Sequence, residues 1–202
     1  MKKFLLFSLL ISLLALPAYS MKLEEGVHYV TLEWPEEKGK VVEAFSVFCS
    51  FCFKYELSVI PSLKASLPKG TVFEEIHLKE MGKYGVAANN VLAVALSQSY
   101  EQFYNAKMAY FNAVYIDRVN LTSDEQVRDI GLKAAQISAS RYDELLKSPE
   151  VAAIQAGWDR AIDVAILQGT PSIIVNNKYM VLISSVKSQE EFNTIVNELL
   201  KK

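Results

Sequence analysis

Cys49 and Cys52 are the two cysteines of this sequence, and they stand three positions apart as C-x-x-C. A crosslink between them would close a loop too small to add much stability, since that contribution grows with the logarithm of loop length. Structural disulfides in an oxidising compartment join distant segments instead. The spacing suits a dithiol that forms, exchanges and re-forms a disulfide. Zinc is the other common use of such a pair. A structural zinc site needs four ligands, and His28 and His77 lack the close-paired spacing of a zinc finger, so no metal is expected. His77 reads as a satisfied core side chain, and His28 has no assigned role.

The elements around the pair decide how its two sulfurs differ. Residues 41–48 are nearly all apolar, β-branched or aromatic, as in a strand buried on both faces. That strand runs directly into Cys49-Ser50-Phe51-Cys52. Tyr55, Val59, Ile60, Leu63 and Leu67 then recur at helical spacing up to Leu67-Pro68-Lys69-Gly70, with a kink expected at Pro61. Cys49 therefore sits at a helix start, where free amide hydrogens and the helix dipole favour thiolate, and Cys52 lies one turn inward as the shielded, resolving partner.

Further strands are predicted at 27–32 and 72–78, the latter closing a β-α-β unit. From 79 to about 147 the pattern is helical throughout, and Thr122-Ser123-Asp124-Glu125 reads as a capping box. A longer helix runs from Ser148, with Pro149 first, to Gly169. Short strands at 172–176 and 179–183 flank an Asn176-Asn177-Lys178 turn, and a last helix follows a cap at Ser188 with Phe192, Ile195, Val196 and Leu199 inward. The order is β-β-α-β, helices, α-β-β-α.

The whole chain has 202 residues, 51% hydrophobic, with a formal charge of -2. That suits one packed core and gives no basic footprint for nucleic acid. Residues 1–20 have Lys2 and Lys3 before a short apolar run and small residues at Pro17-Ala18-Tyr19-Ser20, the pattern of a signal peptide cleaved near Ser20. The apolar run is too short for a membrane span. The mature protein is expected in the periplasm.

Val41-Val42-Glu43-Ala44-Phe45-Ser46-Val47-Phe48-Cys49-Ser50-Phe51-Cys52, then Leu67-Pro68-Lys69-Gly70, then Gly169-Thr170-Pro171-Ser172-Ile173-Ile174-Val175-Asn176-Asn177-Lys178-Tyr179, resemble the DsbA family of periplasmic thiol oxidases, with a specialised DsbL-like member in view. The resemblance implies an α/β thioredoxin fold with an inserted helical subdomain: signal peptide 1–20, thioredoxin parts 21–78 and 158–202, insert 79–157. It implies a cis bond before Pro171, which from spacing alone reads as a trans proline ending a helix. The backbone of Thr170 would pair with an extended substrate segment, with Phe51 also in the substrate site. Glu43 and Glu56 match acidic family positions. Glu43, in an apolar strand, is expected to relay a proton, and Glu56 to be a solvated helix-face charge. Ser50 and these two glutamates are the redox-tuning candidates.

Ser50-Phe51 stands where many members carry Pro-His, and Thr170 where valine is common. Thr170 is similar to disulfide isomerases, but the 21–26 segment leaves no room for their dimerisation domain. The function implied is oxidation of reduced, folding exported proteins by a monomer without cofactors, reoxidised by a DsbB-type quinone-linked membrane oxidase. Two alternatives stand beside it: a reductase or isomerase kept in the dithiol form, and a non-catalytic module that holds unfolded chains.

Overall fold

A computed structural model describes residues 21–202; the signal-peptide expectation lies outside them. Among the described residues five strands form one mixed sheet: β1 (Tyr29–Thr31), β2 (Lys40–Phe45), β3 (Val72–His77), β4 (Ser172–Val175) and β5 (Tyr179–Val181), in the order β1-β5-β4-β2-β3. β2 pairs parallel with β3 and antiparallel with β4, and the β4–β5 and β5–β1 pairs are antiparallel. Asn176 and Asn177 both take positive φ, and Lys178 N–H donates to Val175 O, which makes the tight turn between β4 and β5.

Among the described residues nine α-helices follow in chain order: α1 (Ser50–Ser58), α2 (Ile60–Ser66), α3 (Gly85–Gln98), α4 (Tyr100–Phe111), α5 (Asp124–Ala135), α6 (Ala139–Leu145), α7 (Pro149–Trp158), α8 (Ala161–Gln168) and α9 (Gln189–Leu200). Alternate strand residues separate two cores. Val42, Ala44 and Ile174 join the larger one, with residues of α3 to α8. Val41, Ile173 and Val175 join the smaller one, with Ile60 and Leu63 of α2 and Ile195, Val196 and Leu199 of α9. With helices on both sides, β2 can be apolar on both faces. This is the expected thioredoxin fold with a helical insertion.

Some boundaries differ from those read in the sequence, each for a local reason. β2 ends at Phe45, not residue 48, because Cys49 N–H turns back to Ser46 O and Phe48 N–H to the Ser46 hydroxyl. The helix predicted from Ser148 to Gly169 is two helices, α7 and α8. At the break Asp159 is drawn to Lys79 Nζ at 2.5 Å, and Arg160 reaches Glu74 at 2.9 Å and Asn177 at 2.7 Å. The cap of α5 is Ser123 receiving the Gln126 N–H, while the Gln126 side chain returns to Thr122 N–H. The box is therefore one residue later than Thr122–Glu125. The break between α1 and α2 falls at Val59, two residues before Pro61. Among the described residues no helix is long and apolar enough to cross a membrane.

Candidate active site

Cys49 is the N-cap of α1, and its sulfur accepts the Cys52 backbone N–H at 3.3 Å. Its thiol donates to Thr170 O at 3.2 Å. Both cysteines are free thiols, Cys49 7% exposed and Cys52 1%. The Cys52 thiol, donating to the Cys49 sulfur, holds Cys49 down to about 6 against its partial burial. Thr170 and the backbone N–H groups of Cys52 and Phe51 add to that effect. Burial and the neighbouring Cys49 push Cys52 far above the ordinary thiol range. One sulfur is thus a thiolate at neutral pH and the other a thiol, an asymmetry set by the proton Cys52 shares with Cys49 and by the burial of Cys52, with the amides of the helix start adding to it.

The Thr170–Pro171 bond is cis, as the resemblance implied. With Phe51, Tyr55, Gln168, Ile183 and Ser184, these two residues line a groove of about 420 Å³ beside the pair. Phe51 stands 62% exposed at its rim. Ser50 is exposed in the first turn of α1. His77 is buried, its Nε2 accepting Val47 N–H at 3.4 Å and its Nδ1 3.1 Å from Asn89 Oδ1, and burial pushes it down to about 4. It is a neutral core side chain. His28 is set by its own loop, accepting Glu24 N–H.

Glu56 is not the solvated charge expected of it. Its carboxylate is buried and accepts from Lys107 Nζ at 2.7 Å. Lys107 comes from α4, fifty-one residues on, and also donates to Glu75 of β3. Glu75 further accepts from Tyr100 OH at 2.7 Å and from Lys64 Nζ at 3.3 Å. Glu43 completes the cluster from β2, in register with Glu75. Burial, then the charge of Glu75, push Glu43 up to about 8, so it is protonated at neutral pH. Burial opposes Glu75, but Lys107 and Lys64 outweigh it and hold that carboxyl below its usual range.

Oxygens of Glu43, Glu56 and Glu75 lie within 4.8 Å of one another. The Lys107 ammonium already supplies their cation, so the trio is an internal ion cluster and not a metal site. Sequence reasoning missed Lys107, Glu75, Tyr100 and Lys64. The one available signal was a lysine four residues after Phe103 on the apolar face of its helix.

The family described as a DSBA-like thioredoxin domain matches residues 60–196. The chain is 31% identical over 210 residues to the thiol:disulfide interchange protein DsbL of Klebsiella pneumoniae, covering 96% of this chain and 94% of that one. It is 32% identical over 184 residues to DsbA of Pectobacterium carotovorum, covering 90% and 86%. The crystal structure of Salmonella enterica serovar Typhimurium DsbL superposes with a TM-score of 0.83 at 29% identity, covering 90% of this chain and 99% of that one.

Proposed function

The chain belongs to the DsbA family of protein disulfide oxidoreductases, and from that premise we propose that it works in the oxidising direction, passing its Cys49–Cys52 disulfide to substrate proteins. A substrate thiolate lying in the groove beside Pro171 attacks the Cys49 sulfur. The internal S–S bond breaks, and its electron pair leaves on Cys52, which takes up a proton. A second substrate thiolate then attacks the substrate sulfur of the mixed disulfide, and Cys49 departs as a thiolate.

The observation that carries this direction is the split between the sulfurs, Cys49 near 6 and Cys52 far above. A leaving group of low pKa departs quickly, and a stabilised Cys49 thiolate favours the reduced enzyme. Protonated, buried Glu43, on the strand that leads into the site, supports a role in proton exchange. Ser50, first in α1, is the side chain between the cysteines that tunes the pair with a hydroxyl.

The same reading assigns Phe51, Thr170 and Pro171 to substrate binding and residues 79–157 to the insert. It makes residues 1–20 an export signal, places the mature monomer in the periplasm, and gives reoxidation to a DsbB-type membrane oxidase. The test is equilibration of the purified protein against glutathione, with denaturant unfolding of both redox forms. A couple more oxidising than glutathione and a dithiol form more stable than the disulfide form are expected. The reverse order of stability would establish a reductase.

A further inference from the structure

Thr170 presents its carbonyl to Cys49 and its hydroxyl to Met81. Its carbonyl accepts from the Cys49 thiol at 3.2 Å, and its hydroxyl donates to Met81 Sδ at 3.8 Å. Once Cys49 is ionised it has no proton for the carbonyl, and the hydroxyl becomes the donor Thr170 has to offer. A hydroxyl carries one proton, so it serves either the thioether or the thiolate. After the Cys52 thiol, the Thr170 side chain also lowers Cys49, so its single donor is shared between that sulfur and Met81.

Met81 is held in place by the backbone of its own loop, between β3 and α3. Leu78 N–H is bonded to Phe45 O at 2.7 Å on one side. Gly82 takes φ +79, and a Cβ there would stand 2.8 Å from Phe48 Cγ. A Cβ on Gly85 would stand 2.1 Å from Lys79 O. Lys79 is itself paired with Asp159 at the α7–α8 break. Half-buried Met81 also packs against the larger core. The loop therefore presents the sulfur to Thr170 through close backbone approaches that larger residues could not make.

We propose that Met81 is a positioning residue of the redox site: by accepting the Thr170 hydroxyl it withholds that donor from the Cys49 sulfur and so limits how strongly the thiolate is held. The proposal rests on Cys49 being the attacked, ionised thiol of the proposed function. Met81→Leu removes the acceptor at nearly constant volume. The freed hydroxyl then turns to the thiolate, which stabilises the reduced enzyme and makes it more oxidising.

The test is the Cys49 thiolate absorbance titrated against pH in four reduced proteins: wild type, Met81→Leu, Thr170→Val and the double variant. Met81→Leu is expected to lower the midpoint by about half to one unit, roughly three- to tenfold in thiolate at a given pH on the acid side, where Thr170 is present. In the Thr170→Val background it should leave the midpoint unmoved. Potentials against glutathione should follow the same pattern. A wild-type midpoint near 6 that Met81→Leu fails to move would overturn the role of Met81 alone. Equal shifts in both backgrounds would overturn it too, by showing an effect of packing. A wild-type midpoint near 9 would overturn the reading of Cys49 as the low-pKa thiol, and the proposal with it.

Discussion

Glu43 and Glu75 are register partners across the parallel β2–β3 pair, both buried, and the lysine that donates to Glu75 leaves Glu43 Oε2 with no hydrogen-bond partner among the described residues. Two carboxylates this close do not both ionise at neutral pH unless a cation is shared between them, and the cations decide which one does. Lys107, Lys64 and the Tyr100 hydroxyl all reach Glu75. Glu43 keeps its proton.

A buried acid raised to about 8 gives stability a sign in pH. Between its unfolded value near 4.5 and about 8 the unfolded chain releases this proton and the folded chain keeps it, so Glu43 lowers stability as pH rises through that window. Glu43→Gln removes the penalty. The variant should match wild type at pH 4 and exceed it by about 1–3 kcal/mol at pH 8 in urea unfolding. An advantage that does not change with pH would show that Glu43 is already ionised.

Lys107 has no exposed side-chain surface, and both carboxylates it binds are nearly as deep. Lys107→Met leaves Glu56 and Glu75 buried without that cation and should cost about 3–5 kcal/mol. Adding Glu75→Gln should recover part of that loss, because one uncompensated charge is removed with it. The measurement is a double-mutant cycle by denaturant unfolding. Purely additive losses would show that the two side chains do not interact.

Cys49, lowered to about 6, makes the linkage run the other way. The unfolded thiol binds its proton up to about pH 9 while the folded one has released it, so the dithiol form gains stability from pH 6 towards 9 and loses it as pH falls through 6. In the reduced wild-type protein, where Cys52 is buried and raised far above the ordinary thiol range, alkylation of Cys49 should rise about tenfold per pH unit below 6 and level off above it. A midpoint near 9 would remove the basis for Cys49 as leaving group.

Gly131 of α5 meets Tyr110 of α4 with no room to spare: a Cβ would stand 2.2 Å from the Tyr110 hydroxyl and 2.7 Å from Val91 Cγ1. That hydroxyl is buried without a hydrogen-bond partner among the described residues. Gly131→Ala should destabilise by about 1–3 kcal/mol through overpacking. Tyr110→Phe should be neutral or stabilising alone and should relieve part of the alanine's cost. Thermal unfolding of the three variants checks both expectations.

What was legible in the sequence is what is local. The C-x-x-C pair after an apolar strand, the kink near Pro61 and the Ser188 cap follow from neighbouring residues, and the structure has them. What was misread depends on partners distant in the chain. Glu56 has the surroundings of a surface charge until Lys107 arrives from the insert. The apolar stripe from Val151 to Ala165 keeps its period through a break made by the long-range contacts of Asp159 and Arg160. Met81 has no sequence mark of its own, since its place comes from Gly82 and Gly85 closing the loop around it.

The order of the sheet has a consequence for a protein that exchanges disulfides with other polypeptides. Its two edge strands are β1 and β3. β1 is three residues long, too short to template much pairing, and α7 packs against β3. On β3, Glu74 is tied to Lys40 at 2.6 Å and to Arg160 at 2.9 Å, which sets charge along that margin. Unprotected margins recruit unfolded polypeptide into non-native sheets. A catalyst that exchanges disulfides with such polypeptide avoids co-aggregating with it by keeping its own margins short, covered or charged.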